Sequence, residues 1–496
     1  MLIPKNVLIV SSGLLTVERP PPAIGFLAGV CLANSIQHSI FDLNVFLRQQ
    51  LGDVTWNHAY TFLPTLENPE HSDLLDKITV LIDQAVENML SNTEIDLIAM
   101  TFFSYQQLLI TKLLLQKIRS KSDIKIIIGG SGISYEIEEN KTVGKLFLEQ
   151  NLIDYYVLGE GEYVLDRFFK GHHELGLNYR SSRGETWAPQ IDDLNKCVAP
   201  TYKDIDFSNY SPGINVNPAI GITGSRGCVR RCTFCDVGHI WKKFRYRSAE
   251  NIVQEVAQHF EETGIKQFVF TDSLINGSLK QFTDLNSQLI ELKSKNQHLT
   301  DLSFSGQFII RPKTQHHEHL YQLMAAAGCN NIQVGVESGS DRVRQHIGKK
   351  FSNQDIEHHL EMCSKYKIQN ALLMMTAYPT ETLEDHLETM QMFRQYQKYL
   401  IDDTIVGVTL AHPYVLLKNT PLDLMKHELG IHNENYATHF FDISSNPSLT
   451  LKERFRRYLE LKVLMLDLKY PGSWGDLSSL KEEIDNLKLN IYQSND

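Results

Sequence analysis

Ala219-Ile220-Gly221-Ile222-Thr223-Gly224-Ser225-Arg226-Gly227-Cys228-Val229-Arg230-Arg231-Cys232-Thr233-Phe234-Cys235 is the stretch on which the reading of this chain turns. Ala219–Thr223 is a short apolar run of strand character, and the glycines after it break the strand. Three cysteines follow with C-x3-C-x2-C spacing, so their thiols fall on a loop at a strand's carboxyl end. A structural zinc wants four protein ligands. No fourth cysteine is near, but His239 would complete a Cys3His set. An iron–sulfur cubane also takes thiolates, usually four. Three thiolates on a cubane would leave one iron open to an exogenous ligand, which chemistry at a cluster requires. Ordinary core cysteines are the third reading, and spacing alone leaves all three open.

Downstream, apolar runs alternate with helical periodicity. Strands are expected at Gln267–Thr271, Leu302–Ile310, Asn331–Val336, Ala371–Thr376 and Ile405–Ala411. Helices fit between them at Ala249–Thr263, Leu279–Lys293, His317–Ala327, Asn353–Tyr366 and Thr382–Tyr399. With Ala219–Thr223 this makes six βα units, a partial (βα)6 barrel of the TIM type rather than the eightfold one. Beyond it the chain turns helical and charged, and Leu451–Lys469 is amphipathic.

Upstream the alternation begins at Asn6–Val10, ending in Ser11-Ser12-Gly13. A helix over about Ile24–Asn34, a strand over Ile40–Val45 and a helix over Leu74–Leu90 follow. Ile95–Phe103 is almost continuously apolar, as a strand buried on both faces is. Gln106–Ile118 reads as a helix, Ile124–Ile128 as a strand stopped by Gly129-Gly130-Ser131-Gly132, and Asp154–Leu158 as a short strand before Gly159-Glu160-Gly161-Glu162. The pattern is α/β, a doubly wound parallel sheet, and such sheets bind ligands beyond the carboxyl ends of their strands. From Gly171 to Asn217 periodicity fades and Pro, Ser, Asn and Asp accumulate, as in a linker.

Composition sets outer limits. With 496 residues the chain exceeds one ordinary core, so two or three domains are expected. Hydrophobic residues at 42% and charged residues at 22% exclude a wholly disordered or collagen-like chain. No apolar run approaches the ~18–20 residues of a membrane span, and Met1–Val10 lacks the features of a secretory signal. A net charge of −11 argues against bulk grip on nucleic acid. The seven cysteines (Cys31, Cys197, Cys228, Cys232, Cys235, Cys329 and Cys363) are too few and uneven for a disulfide framework. Reduced thiols in a cytoplasmic protein are expected. His316-His317-Glu318-His319 and His358-His359 are the densest histidine groups, and the first, opening a helix, reads as solvent-facing. No phosphate-loop, Ser–His–Asp or H-E-x-x-H pattern occurs.

The cysteine loop, with Phe234 before its last cysteine, resembles that of the radical S-adenosylmethionine (SAM) superfamily. The resemblance implies that Cys228, Cys232 and Cys235 hold a [4Fe-4S] cluster whose open iron binds SAM. Phe268-Val269-Phe270-Thr271-Asp272-Ser273 is similar to the family's second strand, which implies that Asp272 lies near the SAM amino group. Ile332-Gln333-Val334-Gly335-Val336-Glu337-Ser338 is similar to its fourth, which puts Glu337 and Ser338 with Phe234 among the SAM-pocket residues. The family's fifth strand usually ends in a glycine-proline-glycine-glutamate-threonine-like run. Here Ala377-Tyr378-Pro379-Thr380-Glu381-Thr382 has lost both glycines. Its third strand often carries an arginine near Gln307, and here Arg311 comes four residues later.

The first 165 or so residues resemble the cobalamin-binding domain that precedes the barrel in one radical SAM subclass, through Pro21–Phe26, Phe41-Asp42-Leu43-Asn44, Ile128-Gly129-Gly130 and Gly159-Glu160-Gly161-Glu162. Many such domains carry Asp-x-His-x-x-Gly, whose histidine ligates cobalt. Here Ser11-Ser12-Gly13-Leu14-Leu15 has no histidine. Either cobalamin binds without that ligand, faced by Ser104, Gly129, Gly130 and Gly132, or the domain keeps the fold without the cofactor. The resemblance thus implies residues 1–170 as a cobalamin-binding-like domain, 171–217 as linker, 218–425 as the radical SAM barrel and 426–496 as a helical region. It implies a [4Fe-4S] cluster, SAM and cobalamin as cofactors. Expected partners are a small-molecule or peptide substrate and an electron donor such as flavodoxin or ferredoxin, with no membrane and no nucleic acid. The implied activity is methyl transfer to an unactivated carbon or to phosphorus. A radical rearrangement, cyclisation or oxidation is the alternative, and a zinc-stabilised binding protein the alternative of another class.

Overall fold

A computed structural model describes residues 3–13, 17–61, 71–91, 94–138, 141–182, 184–210, 218–410, 412–435, 440–472 and 474–492. Leu14, Leu15, Ala411 and the 211–217 end of the expected linker lie outside the described residues. The chain divides into two compact units, Met1–Gly221 with Gln254–Gln267, and Ile222–Val253 with Phe268–Asp496.

The first unit is built on six strands: β1 (Asn6–Ser11), β2 (Gln37–Asp42), β3 (Leu97–Thr101), β4 (Lys125–Gly129), β5 (Tyr155–Val157) and β6 (Leu177–Tyr179), in the order β2-β1-β3-β4-β5-β6. The first five pair in parallel and β6 is antiparallel to β5. The apolar runs are near-continuous because both faces are covered. Leu8, Val10, Ile98, Met100, Ile126 and Ile128 enter one core, while Val7, Ile9, Leu97, Ala99 and Ile127 enter the other. Each such side chain contributes roughly 1.5–3 kcal/mol by leaving water. The strand expected at Ile40–Val45 lies earlier, at Gln37–Asp42. Asp42 accepts a hydrogen bond from the Asn44 N–H at 2.9 Å and so starts a helix, Leu43–Leu51, which claims the apolar residues after it. Gly159 and Glu160 turn the chain into the helix Gly161–Phe169.

The second sheet holds β7 (Ala219–Ile222), β8 (Gln267–Phe270), β9 (Ser303–Phe308), β10 (Cys329–Glu337), β11 (Gln369–Met374) and β12 (Ile405–Thr409), in sequential order. The pairings from β9 through β12 are parallel. Helices alternate with these strands, as Leu279–Lys295, Glu318–Ala327, Asn353–Tyr366 and Leu383–Tyr396 do. Thr382 and Asp385 form a capping box that starts the last of these directly after the turn beyond β11. The six strands are those the periodicity predicts, and the architecture is the partial barrel.

Ile431–Asn435 and Phe440–Ile443 pair as a short antiparallel ladder before the helices Leu451–Asp467 and Leu477–Tyr492. Leu451–Asp467 is anchored by two buried arginines. Arg457 pairs with Glu381 at 3.1 Å and with Glu453 at 2.8 Å, and Arg454 donates to the carbonyls of Phe441 and Tyr414. Among the described residues no helix is long and apolar enough to cross a membrane.

Candidate active site

The cysteine loop hangs from a two-residue ladder in which Ser225–Arg226 pairs with Arg245–Tyr246. Trp241 lies between the guanidiniums of Arg226 and Arg245, 5.7 and 5.4 Å from its ring centre. Asp272, just past β8, is buried. Its carboxylate accepts from the Gly224 N–H at 2.9 Å and from the Ser225 hydroxyl, fixing the start of the loop. Burial pushes this acid up to about 7, against the pull of those bonds.

Further along, the loop docks on the carboxyl ends of the neighbouring strands. The Thr233 N–H donates to the Ile347 carbonyl at 2.9 Å, and its hydroxyl meets that of Tyr378 at 2.8 Å. The Leu422 N–H donates to the Thr233 carbonyl at 2.8 Å. Cys232 joins an apolar cluster with Val343, Ile347, Tyr378, Tyr414 and Leu422. The bulkier turn after β11 is part of this floor, because Ala377 and Tyr378 are fully buried in it. Ala377 itself takes a left-handed φ of 58°.

Cys232 is buried, and Cys228 and Cys235 are half-buried. Burial pushes all three thiols up, Cys235 to about 11. The Arg230 N–H donates to the Cys228 sulfur at 3.3 Å, and the charge of Lys349 acts on Cys228 and Cys232 in the direction that favours thiolate. No three His, Cys, Asp or Glu side chains among the described residues are gathered as ligands of a single ion, these cysteines included. A zinc ion needs its sulfurs about 3.8 Å apart, the edge of a tetrahedron of ~2.3 Å bonds. A cubane spreads its thiolates over separate irons. Its donor set fits this loop, and His239, the candidate fourth zinc ligand, is exposed.

Glu337 ends β10 at a left-handed φ of 68° and is buried. Its carboxylate pairs with Lys349 at 2.9 Å, and the same ammonium donates to the Gly335 carbonyl at 3.0 Å and lies 5.9 Å from the Phe234 ring centre. Glu337 and Phe234 therefore meet beside the cysteines. Ser338 turns away, because its hydroxyl is buried against Thr389 at 3.3 Å and accepts from the Ser340 N–H at 3.1 Å. Lys349 escapes a reading of the sequence, since Gly348-Lys349-Lys350 looks like a solvated helix end. A buried lysine is rare unless paired. Arg311 lies just beyond β9, where it donates to the carbonyls of Asn276 and Gly277 at 3.1 and 2.7 Å. In the first histidine group His317, Glu318 and His319 are exposed as expected, but His316 is buried, and so is His359 of the second. His359 bonds Tyr321 and Asn370 at 2.9 Å each, while His316 bonds Asn276 at 3.3 Å.

In the first unit, β3 and β4 end side by side. Ser104 caps a short turn in a capping box with Gln107, whose amide donates to the carbonyls of Ser12 and Gly13 at 2.7 and 2.9 Å. Gly130 has a φ of 108°, and a Cβ there would stand 2.5 Å from the Phe102 carbonyl oxygen, as one at Gly132 would stand 3.0 Å from it. Those two glycines are required by the chain's own close approach to Phe102. Gly129 differs, since a Cβ there would meet only Val157, at 3.8 Å. Around this end Phe103, Tyr105 and Tyr135 are 62%, 40% and 43% exposed, the two tyrosine rings stacked 4.0 Å apart.

A partial parallel barrel with a three-cysteine loop after its first strand is the arrangement that the resemblance to the radical SAM superfamily implies. Residues 222–393 match the radical SAM superfamily, so the chain contains a radical SAM domain, the catalytic module of an enzyme, which implies a [4Fe-4S] cluster and SAM. The chain is 25% identical to an uncharacterized methyltransferase of Pyrococcus horikoshii, over 59% of its own length and 61% of that protein's. It is 29% identical to a tRNA-2-methylthio-N(6)-dimethylallyladenosine synthase of Bacillus anthracis, over 41% of its own length and 40% of the other. It thus spans less than two thirds of these curated relatives. Among solved structures it is similar to the radical SAM methyltransferase TsrM of Kitasatospora setae, with cobalamin and a [4Fe-4S] cluster bound. The TM-score is 0.65 at 16% identity, covering 98% of this chain and 99% of the other. OxsB, with aqua-cobalamin and SAM bound, has a TM-score of 0.65 at 17% identity, covering 93% and 66%. At such identity these two likenesses establish the fold.

Proposed function

We propose that the chain is a cobalamin-dependent radical SAM methyltransferase acting on an unactivated carbon or phosphorus centre. The observation that carries this reading is the cysteine loop, docked through Thr233 beside the buried Glu337–Lys349 pair, in a chain that shares its fold with TsrM over almost its whole length. Cys228, Cys232 and Cys235 would ligate the cluster, which when bound supplies the electron that breaks the SAM sulfonium bond. Phe234 and Glu337 border the space beside those thiols and would orient SAM. Asp272 holds the loop through Gly224 and Ser225, and Ser338 supports the turn after Glu337. The apolar wall of Tyr378, Tyr414 and Leu422 excludes water from the buried side of the loop.

In the first unit the exposed Phe103, Tyr105 and Tyr135 beside the open flank of Gly129 suit a flat, largely apolar ligand. Ser104 shapes that end, and Gly130 and Gly132 keep its turn close to Phe102. Cobalamin bound there would supply the methyl carrier. Its lower face would have no histidine ligand from the Ser11–Val17 loop, which contains none. A low-potential flavodoxin or ferredoxin would supply electrons, and a small molecule or peptide would accept the methyl group.

The test is anaerobic reconstitution with iron and sulfide, followed by reduction with SAM present and titration with hydroxocobalamin. Expected are a broad absorption near roughly 400 nm from thiolate–iron charge transfer, SAM cleavage to 5′-deoxyadenosine, and stoichiometric corrinoid uptake. A colourless zinc protein that leaves SAM intact would sink the reading. Cluster and cleavage without corrinoid uptake would replace methyl transfer by a radical rearrangement or oxidation.

A further inference from the structure

We propose that Lys349 is a positioning residue for the cluster, its ammonium held against the cysteine loop so that the cluster accepts an electron more readily. This rests on the cluster reading above, and it concerns a residue that no motif points to. Three features show that the lysine is built into its place. Its side chain is only 11% exposed, and its ammonium is shared between the Glu337 carboxylate at 2.9 Å and the Gly335 carbonyl at 3.0 Å. Gly335 has no side chain to interfere, since a Cβ there would stand 2.8 Å from the Lys349 nitrogen and would also strike the Glu337 carboxylate. Glu337 takes a left-handed backbone that a non-glycine residue adopts only at a cost of about 1–3 kcal/mol. From there its carboxylate reaches the lysine.

Gly348, just before the lysine, runs close to the cysteine loop. A Cβ at Gly348 would lie 3.4 Å from the Arg231 carbonyl oxygen and 3.8 Å from the Cys232 Cα. The ammonium also faces the Phe234 ring, 5.9 Å from its centre. The ammonium is paired with the Glu337 carboxylate at 2.9 Å, and a charge buried there needs that partner. A fixed positive charge in a water-poor place beside a group that gains negative charge favours the reduced form, and net charge around a cluster is one determinant of its potential. The step concerned is transfer of one electron from a low-potential carrier to the cluster. No bond to Lys349 forms or breaks, and no proton moves.

The test compares reconstituted wild type, Lys349→Met and Lys349→Arg by iron and sulfide content and by redox titration with dithionite and mediators, followed by electron paramagnetic resonance. Lys349→Met is expected to retain its iron while one-electron reduction becomes about tenfold less favourable, a shift of 59 mV to more negative potential. Lys349→Arg should stay within about threefold of wild type. Iron lost in Lys349→Met but retained in Lys349→Arg also supports the role, because the two variants differ in charge. Full iron with an unmoved potential in Lys349→Met overturns it, as does loss of iron in both variants. A wild type that takes up no iron would instead overturn the cluster reading itself.

Discussion

At the carboxyl end of the first sheet the groups facing outward are aromatic and exposed. At that of the second lie a close carboxylate–ammonium pair and three thiols largely withdrawn from water. Phe103, Tyr105 and Tyr135 are exposed at the one, while Glu337 and Lys349 pair at 2.9 Å near the cysteine loop at the other. Buried charge is costly unless paired, and here Glu337 and Lys349 pair with each other. An exposed aromatic shelf costs little to keep and suits a ligand held by contact area. The glycines divide likewise. Gly335 makes room for an ion pair, whereas Gly130 and Gly132 make room for backbone.

The largest effect is expected at the charged end. Cys232→Ala should remove cluster iron and bring SAM cleavage to background, measured by iron content and 5′-deoxyadenosine. Retained cleavage would refute the ligand assignment. Next comes Gly130→Ala, which adds a Cβ 2.5 Å from the Phe102 carbonyl in a backbone region kept for glycine. Denaturant unfolding should show the first unit destabilised by about 2–4 kcal/mol.

A pH effect is expected from two buried histidines of the second unit. Burial lowers His316 to about 3 and His359 to about 4, from an ordinary 6.5. The unfolded chain therefore binds protons below about pH 6.5 that the folded chain refuses. Their contribution to stability is full above that pH and falls as pH drops towards 4, by up to about 1.4 kcal/mol per unit for each histidine, while the buried Asp272 acid, pushed up to about 7, works in the opposite direction. Unfolding at pH 7 and 5 should show a smaller loss in His359→Gln than in wild type, and equal losses would remove His359 from the account. The smallest stability effect is expected for Gly129→Ala, within about 0.5 kcal/mol of wild type because the space beside it is open. Hydroxocobalamin uptake should nevertheless weaken several-fold. Unchanged uptake would move the corrin away from that strand end.

Both sheets were legible because their strands are buried on two faces, which writes continuous apolar runs such as Leu97–Thr101 into the sequence. The cysteine loop was legible because its thiols are local, three within eight residues. Lys349 was not, because its partners Gly335, Glu337 and Phe234 come from a strand end and a separate loop, and a lysine beside another lysine looks solvated. The buried Arg457–Glu381 pair and the burial of His316 were hidden for the same reason. The register of β2 was lost to a local competition, the Asp42 cap, that periodicity does not weigh.

The missing side chain at Gly335 also constrains how this chain can change over generations. While Lys349 and Glu337 occupy the space above it, any larger residue at 335 displaces both, so that position is closed to mutation. Once Lys349 is lost, nothing pins the Glu337 carboxylate over that space, and when it swings away 335 can drift, after which a lysine regained at 349 would find its place taken. The order of substitutions therefore matters, and the pair acts as a ratchet that makes loss of the buried charge far easier than its recovery.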